Sequence, residues 1–331
     1  MEYRFLGRTG IQVSPLCLGT MTFGREADKT ASKAIFNRCR DVGINFFDSA
    51  NVYSDGKSEA ILGELISDCR DELIICTKFG DAMGSDPNLK GASRRNIIAA
   101  LEASLNRLRT DYIDIYFLHR FDVHTPLEET LRTLDDLISQ GKIRYTGVSN
   151  FAAWQIARAL CVSALNGWTQ IHCIQPMYNL VKRQAEVEIL PLAQSEQLGV
   201  MTYNPLGAGI LTGKYGKDRK LASGRLTESD MYQKRYSQQW MFEAAIRFVE
   251  FAKAGDFHPV SLAVAWVAHH SAVTAPIIGA RNVEQLEDSL KSLDISMTQE
   301  LYDQISGLTP TPPPATDRLE ERFKDKDTMD M

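Results

Sequence analysis

The hydrophobic positions of the chain alternate between short apolar runs and longer stretches of helical spacing. Ser93–Leu108 has the clearest helical pattern, because apolar side chains recur three and four residues apart behind Ser93, an N-cap residue type. The short runs are typical of buried strands. Eight strands are predicted: residues 13–18, 44–48, 73–76, 112–118, 143–148, 171–174, 200–202 and 273–278.

Segments of helical spacing separate nearly all of these strands. They are residues 30–42, 58–69, 93–108, 127–139, 152–165, 184–198, 240–253, 260–269, 283–292 and 298–306. Eight alternating strand–helix units predict an α/β protein built as a (β/α)8 TIM barrel. Residues 3–13 predict a β-hairpin ahead of it, and residues 204–239 predict a long loop after the seventh strand.

An open, doubly wound sheet is the alternative architecture. Such a sheet usually carries Gly-x-Gly-x-x-Gly after its first strand, where it binds phosphates. Here that strand ends in Gly19-Thr20-Met21-Thr22-Phe23-Gly24, which lacks the motif. The run Gly207–Gly213 spaces its third glycine differently and follows the seventh strand, so the pattern favours the barrel.

Composition and charge indicate the number of domains, the partners and the cellular location to expect. The 331 residues are 44% hydrophobic and 24% charged, which suits a single domain over 1–331 with a Pro-rich, charged tail over 309–331. The net charge of −5 argues against nucleic acid as a partner. With no signal-peptide pattern or membrane-length apolar run, we expect a cytoplasmic protein without a membrane partner. The six cysteines predict buried thiols, and no metal cluster is apparent.

Ionisable and polar residues stand at the strand ends, which meet at one mouth in a barrel. In chain order they are Asp48 with Tyr53 on its loop, Lys78, His119, Ser149 with Asn150, Gln175, Tyr203 and Arg281. Each one alone has an ordinary structural explanation. Jointly, a carboxylate, a phenol, an ammonium and an imidazole on neighbouring units indicate a catalytic site.

The first four of these residues suit proton transfer to a carbonyl oxygen. A phenol has a pKa of about 10, which burial raises and a neighbouring cation lowers. We expect Lys78 to lie against Tyr53 and bring the phenol's pKa to about 7–8, which requires roughly 3–4 kcal/mol. Asp48 would be the partner of the buried lysine, and His119 would orient the carbonyl.

A tyrosine cannot supply hydride, so this chemistry requires a cofactor. Groups suited to a carboxamide follow two strands: Ser149, Asn150 and Gln175. Tyr203 offers a flat face for stacking a ring. Glycines that allow close approach to a pyrophosphate follow it: Gly207, Gly209 and Gly213. Arg281, just before a predicted helix, would favour a nucleotide with a 2′-phosphate.

Several segments, in this order, make the chain resemble the aldo-keto reductase superfamily from about residue 3 to residue 308. They are Leu18-Gly19-Thr20-Met21, Phe47-Asp48-Ser49-Ala50-Asn51-Val52-Tyr53, Thr77-Lys78, Leu118-His119, Gly147-Val148-Ser149-Asn150, Gln175-Pro176-Met177-Tyr178-Asn179, Tyr203 to Lys214, and Pro276-Ile277-Ile278-Gly279-Ala280-Arg281. Residues 204–215 look most like the bacterial and aflatoxin-aldehyde-reductase-like branches. Some of those relatives form dimers or larger assemblies, so the resemblance is compatible with a homo-oligomer.

The resemblance implies a barrel that reduces aldehydes or ketones with NADPH. It implies Tyr53 as general acid, Lys78 and Asp48 as the residues that tune it, and His119 as the group that orients the carbonyl. It also implies cofactor contacts from Gly19, Thr20, Met21, Asp48, Ser149, Asn150, Gln175, Tyr203, Asn204, Pro205, Leu206, Gly207, Gly209, Lys214, Gly279, Arg281, Gln285, Asp288 and Ser289. The chain departs from many relatives at Asp288-Ser289, where they carry Glu-Asn, so the adenine contact and the strength of NADP preference stay open.

Two other functions remain open on the sequence. One is a cofactor-sensing subunit resembling the potassium-channel β subunits, and the other is a barrel hydrolase or lyase without a nicotinamide. The substrate is likewise open among sugar aldehydes, aromatic aldehydes, pyridoxal and keto compounds. Loops 22–28, 79–92, 120–126 and 215–238, together with the C-terminal tail, are expected to select the substrate. An apolar pocket beside Tyr53 and His119 is predicted from Phe23, Phe79, Phe121 and Trp240.

Overall fold

A short antiparallel hairpin precedes a closed barrel in the computed structural model, which describes residues 1–215, 226 and 229–318. The hairpin pairs β1 (Arg4–Phe5) with β2 (Gln12–Val13). The barrel strands are β3 (Cys17–Gly19), β4 (Phe46–Asp48), β5 (Ile74–Phe79), β6 (Ile113–Leu118), β7 (Ile143–Ser149), β8 (Cys173–Gln175), β9 (Gly199–Thr202) and β10 (Ala275–Ile278).

The eight barrel strands are all parallel and follow one another around the barrel in chain order. The last strand closes the ring, because β10 pairs with β9 through Ala275 and Met201 and with β3 through Ile277 and Cys17. The predicted (β/α)8 barrel with its N-terminal hairpin is therefore confirmed.

Helices surround the barrel. Those described are α1 (Lys29–Asp41), α2 (Lys57–Ile66), α3 (Arg94–Leu108), α4 (Leu127–Ser139), α5 (Ala153–Asn166), α6 (Ile189–Ser195), α7 (Asp230–Arg235), α8 (Gln239–Ala254), α9 (Pro259–His269), α10 (Val283–Leu290) and α11 (Gln299–Ser306). Ser93 is the N-cap of α3, as expected, and its side chain accepts a hydrogen bond from the Asn96 amide. The helix ends at Leu108, since Arg109 adopts the left-handed conformation with φ of 54°.

Two element boundaries differ from the prediction in ways that matter. The helix expected over 184–198 is a short 3-10 turn, Gln184–Glu186, followed by α6. Pro191 explains the break, because a proline inside a continuous helix clashes with the carbonyl four residues before it. Strand β5 runs on to Phe79, three residues beyond the predicted end, so Lys78 lies within the sheet.

The hydrophobic core has two parts. A smaller cluster fills the barrel interior with side chains such as Phe46, Ile115, Phe117 and Met201. The larger cluster lies between the strands and the surrounding helices. Leu6 belongs to the inner cluster, so the N-terminal segment closes the lower end of the barrel. The two clusters follow from the pleat, because successive strand residues point to opposite faces.

The sequence also led to expectations about the cysteines, membrane-spanning helices, the long loop and the tail. All six cysteines are free thiols, but Cys161 is exposed and Cys69 is half-buried, which corrects the expectation of burial for these two. Within the described ranges, no helix combines the length and apolar character needed to cross a membrane. Parts of the predicted loop and tail, residues 216–225, 227–228 and 319–331, lie outside the described residues.

Candidate active site

The residues at the barrel mouth follow the period of the strands. In each strand, the side chain two positions after an inward core residue also points inward. The eight pairs are Cys17 and Gly19, Phe46 and Asp48, Cys76 and Lys78, Phe117 and His119, Gly147 and Ser149, Cys173 and Gln175, Met201 and Tyr203, and Ile277 and Gly279. The barrel thus carries an apolar layer, and directly above it a layer of six polar side chains and two glycines.

Lys78 and Asp48 form a buried ion pair in this polar layer. The Lys78 side chain is fully buried, and its Nζ lies 2.6 Å from Asp48 Oδ2. It also donates to the Ser49 carbonyl at 2.6 Å, and Gln175 Nε2 donates to Asp48 Oδ1 at 2.9 Å. Burial lowers the pKa of Lys78, but Asp48 and Tyr53 outweigh it, and the net pKa is raised. The lysine is therefore a cation whose charge is matched by one carboxylate.

Tyr53 stands on a tight turn directly after β4. The turn Tyr53–Gly56 includes Ser54 and Asp55 in the left-handed region, with φ of 51° and 53°. Ser54 fixes the turn by donating from its hydroxyl to the Phe23 carbonyl at 2.8 Å. This geometry brings the Tyr53 hydroxyl to 3.2 Å from Lys78 Nζ, with the ammonium 4.8 Å from the ring centroid.

The pKa of Tyr53 is raised, which corrects the expectation that Lys78 lowers it to about 7–8. Burial raises the pKa of Tyr53 above its ordinary value, and Lys78 opposes this without cancelling it. Asp48 adds to the rise, because the lysine's charge is already matched by that carboxylate. The phenol therefore keeps its proton at neutral pH, which is the state that a proton donor requires.

His119 faces Tyr53 across the cavity, with ring centroids 6.1 Å apart at 76°. Its backbone is fixed by hydrogen bonds from His119 N to the Phe79 carbonyl at 2.8 Å and from Asn150 Nδ2 to the His119 carbonyl at 2.9 Å. On the far side of the ring, Nδ1 lies 3.0 Å from Asp81 Oδ2. Arg120 lies 2.6 Å from the other Asp81 oxygen. The imidazole therefore sits between a phenol and a carboxylate.

Three polar residues on neighbouring strands form a connected network. Ser149 donates from its hydroxyl to the Gln175 carbonyl at 2.8 Å. Asn150, with φ of 56°, donates to Ser149 Oγ at 3.1 Å and accepts from Tyr203 Oη at 2.7 Å. Amide and hydroxyl groups are therefore concentrated beside the Tyr203 ring, in an arrangement suited to an aromatic carboxamide.

The segment after β9 is a glycine-rich turn. Asn204 stabilises it by accepting from the Ala208 amide at 2.8 Å and by donating to Tyr236 Oη at 2.5 Å. Gly209 has φ of 90°, and a Cβ there would lie 2.6 Å from Lys214 Cε. The positive φ favours glycine at this position, and the end of the Lys214 side chain lies directly over the turn.

Arg281 lines the same cavity and stands just before α10. Its backbone amide donates to Gln285 Oε1 at 3.2 Å, and the Asn282 side chain caps the helix by accepting from the Gln285 amide. Among the ion pairs formed within the described residues, none involves the Arg281 guanidinium. A cation beside a helix N-terminus is suited to a phosphate group.

One cavity of about 830 Å³ joins these features. It is lined by Tyr53, His119 and most of the predicted cofactor residues, which are Gly19, Met21, Asp48, Ser149, Asn150, Gln175, Tyr203, Asn204, Pro205, Leu206, Gly209, Lys214, Gly279, Arg281, Gln285, Asp288 and Ser289. The fully buried Lys78 lies behind Tyr53, in the wall. Residues from all parts of the chain therefore meet around one space.

Besides Lys78, seven of the predicted site residues lie outside this lining: Thr20, Phe23, Phe79, Phe121, Gly207, Gly213 and Trp240. Thr20 is fully buried and donates to the Asp48 carbonyl, and Gly207 is buried inside its turn. Phe23 and Phe79 are fully buried in the core, where Phe79 stacks on Tyr116. Phe121 packs edge-on against Phe151. Their assignment to the pocket is corrected accordingly, because these aromatic rings serve the packing between strands and helices.

Several lining residues were not anticipated from the sequence. Asp81 and Arg120 follow strand ends by two residues, and α7 contributes Met231, Tyr232 and Arg235. The loop ranges expected to choose the substrate contain all five residues, but the sequence predicted no helix or strand there, so no period showed which side chains point inward. Within the residues that the structure describes, no group of three His, Cys, Asp or Glu side chains could hold a metal ion.

A comparison with known protein families decides between the barrel chemistries. The model of the aldo/keto reductase family matches residues 15–309. The chain belongs to the aldo/keto reductase family. This membership covers the barrel from β3 to the end of α11, and it makes a nicotinamide nucleotide, NADH or NADPH, the expected cofactor class.

Relatives of this aldo/keto reductase differ in what their names describe. It is 36% identical to the uncharacterized oxidoreductase YrpG of Bacillus subtilis, over 94% of this chain and 97% of the relative. It is also 36% identical to a probable voltage-gated potassium channel subunit beta of Oryza sativa, over 96% and 99% of the two chains. Norsolorinic acid reductase of Aspergillus flavus is 30% identical over 91% of this chain and 79% of the relative.

The cavity of this aldo/keto reductase fits such a nucleotide. Gln175 and Asn150 supply amide groups and Tyr203 an aromatic face, and the glycine-rich turn and Arg281 line the same cavity. Groups of these kinds suit a nicotinamide ring and a pyrophosphate. Asp288 lines the cavity as well, with its carboxylate 3.8 Å from His258 Nε2.

Proposed function

We propose that the protein is an NADPH-dependent carbonyl reductase, which converts aldehydes, and ketones less readily, to alcohols. One observation carries the proposal: the Tyr53 hydroxyl, backed by Lys78 and Asp48, faces His119 across a cavity that continues to Arg281. A bound nicotinamide nucleotide supplies the hydride. The four residues at the barrel mouth then provide the proton and hold the carbonyl.

Tyr53 would donate its proton to the carbonyl oxygen as that oxygen becomes an alkoxide. Its raised pKa keeps the phenol protonated beforehand, and the Lys78 cation stabilises the phenolate that remains. Asp48 holds Lys78 in place and keeps the buried charge matched. His119 would hydrogen-bond the same oxygen from the opposite side, which orients the carbonyl carbon toward the nicotinamide position.

The preference for NADPH rests on Arg281 and Lys214. Both are cations that line the same cavity as Tyr53, and Arg281 precedes the N-terminus of α10. The 2′-phosphate is the group that distinguishes NADPH from NADH, and an arginine can bind it through two parallel hydrogen bonds. Ser149, Asn150 and Gln175 would hold the carboxamide, with Tyr203 against the ring.

The test is turnover with both nucleotides. The purified protein is mixed with an aromatic aldehyde such as 4-nitrobenzaldehyde, and consumption of NADPH or NADH is followed by absorbance while the alcohol is quantified. We expect one alcohol per NADPH consumed and slower turnover with NADH. NADPH that binds, as seen by quenching of protein fluorescence, without any alcohol formed from a panel of aldehydes would contradict the reductase assignment.

A second candidate is a cofactor-sensing subunit. It is favoured by the similarity to plant proteins named as potassium channel β subunits, which extends over nearly the full length of both chains. Retention of Asp48, Tyr53, Lys78 and His119 in one site supports turnover as the main activity. A sensor would release the oxidised nucleotide so slowly that product forms in a single burst, whereas a reductase would turn over many times at a constant rate.

A further inference from the structure

We propose that Asp81 is a positioning residue for His119: its carboxylate keeps a proton on Nδ1, so that only the imidazolium form can donate a hydrogen bond to a carbonyl oxygen from Nε2. The inference rests on the proposed reductase function and deepens it. It assigns a role to Asp81, which is not among the strand-end residues predicted from the sequence.

The geometry places one carboxylate against the imidazole. Asp81 Oδ2 lies 3.0 Å from His119 Nδ1, and the Asp81 side chain is only 17% exposed. The Nδ1 atom is buried and makes no aligned hydrogen bond. A contact at this distance needs only a small rotation to become one, and catalytic hydrogen bonds often tighten when substrate binds.

The tautomer follows from what each group can donate. A neutral imidazole carries one N–H, and an ionised carboxylate can only accept. Next to Asp81, that proton stays on Nδ1, and Nε2 presents a lone pair toward the cavity. A lone pair repels a carbonyl oxygen. When the ring is protonated, both nitrogens carry hydrogen, so Nδ1 satisfies Asp81 while Nε2 serves the substrate.

The other charged and titratable groups around His119 do not replace Asp81. Lys78 is matched by Asp48 on the far side of Tyr53. Burial raises the pKa of both Tyr53 and Tyr203, so both phenols are neutral at the pH values that matter. Arg120 lies 2.6 Å from Asp81 Oδ1 and holds that carboxylate beside the ring.

The ionised state of Asp81 is supported by its own surroundings. Burial raises the pKa of Asp81, but His119 and Arg120 together lower it by more than burial raises it. The net pKa therefore lies below the ordinary value. Asp81 is therefore a carboxylate throughout the range in which an imidazole titrates. A pH effect in that range cannot come from Asp81 itself.

The experiment reads the tautomer directly. In protein labelled with nitrogen-15 histidine, the ring nitrogens of His119 are assigned by comparison with His119→Asn, and their shifts are followed between about pH 6 and pH 9. The variants are Asp81→Asn, Asp81→Glu, and Asp86→Asn as a control on the same loop, where Asp86 is exposed. This readout does not depend on turnover, so it separates the inference from the proposed function.

At high pH, we expect the proton on Nδ1 in the wild type, in Asp86→Asn and in Asp81→Glu. In Asp81→Asn we expect it on Nε2, because an amide N–H can donate to Nδ1. The same tautomer in the wild type and Asp81→Asn would overturn the proposal, and so would an Nε2–H tautomer in the wild type.

The kinetic counterpart is the pH profile of kcat/KM for aldehyde reduction. In the wild type it should fall toward high pH, because a neutral ring with its proton on Nδ1 offers the carbonyl oxygen no donor. Asp81→Asn should lack this fall, with a maximum about tenfold lower because a neutral donor is weaker. Asp81→Glu should keep the wild-type profile. A fall in kcat/KM at the same pH and with the same steepness in Asp81→Asn as in the wild type would contradict the proposal.

Discussion

Lys78 donates to Asp48 across the two neighbouring strands β5 and β4, with 2.6 Å between Nζ and Oδ2. Both side chains are almost completely buried, at 0% and 3% exposure. Desolvating two charges is costly, and their attraction offsets the cost only while both are present. The stability of the barrel mouth and the proposed chemistry therefore depend on the same pair.

We predict that Lys78→Met lowers the free energy of unfolding by about 3–5 kcal/mol, because it leaves the Asp48 carboxylate buried without a cation. The double variant Asp48→Asn, Lys78→Met contains neither charge and should recover most of that loss. Urea denaturation of the wild type, both single variants and the double variant measures the coupling. Strictly additive losses would mean that the pair contributes nothing as a pair.

Arg281→Ala should weaken NADPH binding much more than NADH binding. A charge-assisted hydrogen bond contributes about 1.5–3 kcal/mol, which corresponds to about 10–150-fold in Kd for NADPH. The Kd values come from fluorescence titration of each nucleotide. Arg247→Ala is the matched control, because that exposed arginine of α8 donates to the Leu308 carbonyl outside the cavity. Equal losses for the two nucleotides would remove the 2′-phosphate assignment from Arg281.

His172 should make the fold sensitive to mild acid. Burial, with the nearby Arg8, lowers the pKa of His172 from 6.5 to about 4, and its Nδ1 accepts from the Thr146 amide. The unfolded chain takes up this proton below pH 6.5 and the folded protein only near pH 4, so stability falls across that window by about 3 kcal/mol. Urea denaturation at pH 7 and pH 4 should show a smaller loss for His172→Gln than for the wild type, and an unchanged loss would contradict the prediction.

A side chain at Gly147 should lower the stability of the fold, although this residue has no catalytic role. It pairs with Phe117 across β6 and β7, and a Cβ there would lie 2.3 Å from the Phe117 ring. We expect Gly147→Ala to cost about 1–3 kcal/mol from overpacking. Thermal and urea denaturation measure this cost, and Phe117→Leu in the same chain should reduce it. An undiminished cost in the double variant would point to backbone rather than to steric contact.

Much of the site was predictable because strands have a period. Asp48, Lys78 and His119 lie at strand ends, and the alternation of strand residues turns all three toward the same mouth. The closed order of eight parallel strands then brings Gln175 within 2.9 Å of Asp48, although they are far apart in the chain. Local pattern and barrel closure together are sufficient for this part of the site.

Other properties of the site depend on how deeply a side chain is buried and on the conformation of loops. The pKa of Tyr53 rises because burial exceeds the influence of Lys78, and the degree of burial is not written in the spacing of residues. Phe23 and Phe79 were expected in the pocket, but aromatic side chains near strand ends serve the core equally well. Asp81 reaches His119 through a loop, where no period indicates direction.

The central claim is that Tyr53 is the proton donor, and Tyr53→Phe tests it most directly. Reduction of 4-nitrobenzaldehyde is followed in a single turnover with enzyme in excess, alongside the NADPH Kd. We predict a rate about 10²–10⁴-fold lower in the variant with an unchanged Kd, since the phenol contributes to proton transfer and not to nucleotide binding. A single-turnover rate equal to that of the wild type would show that the proton comes from another group.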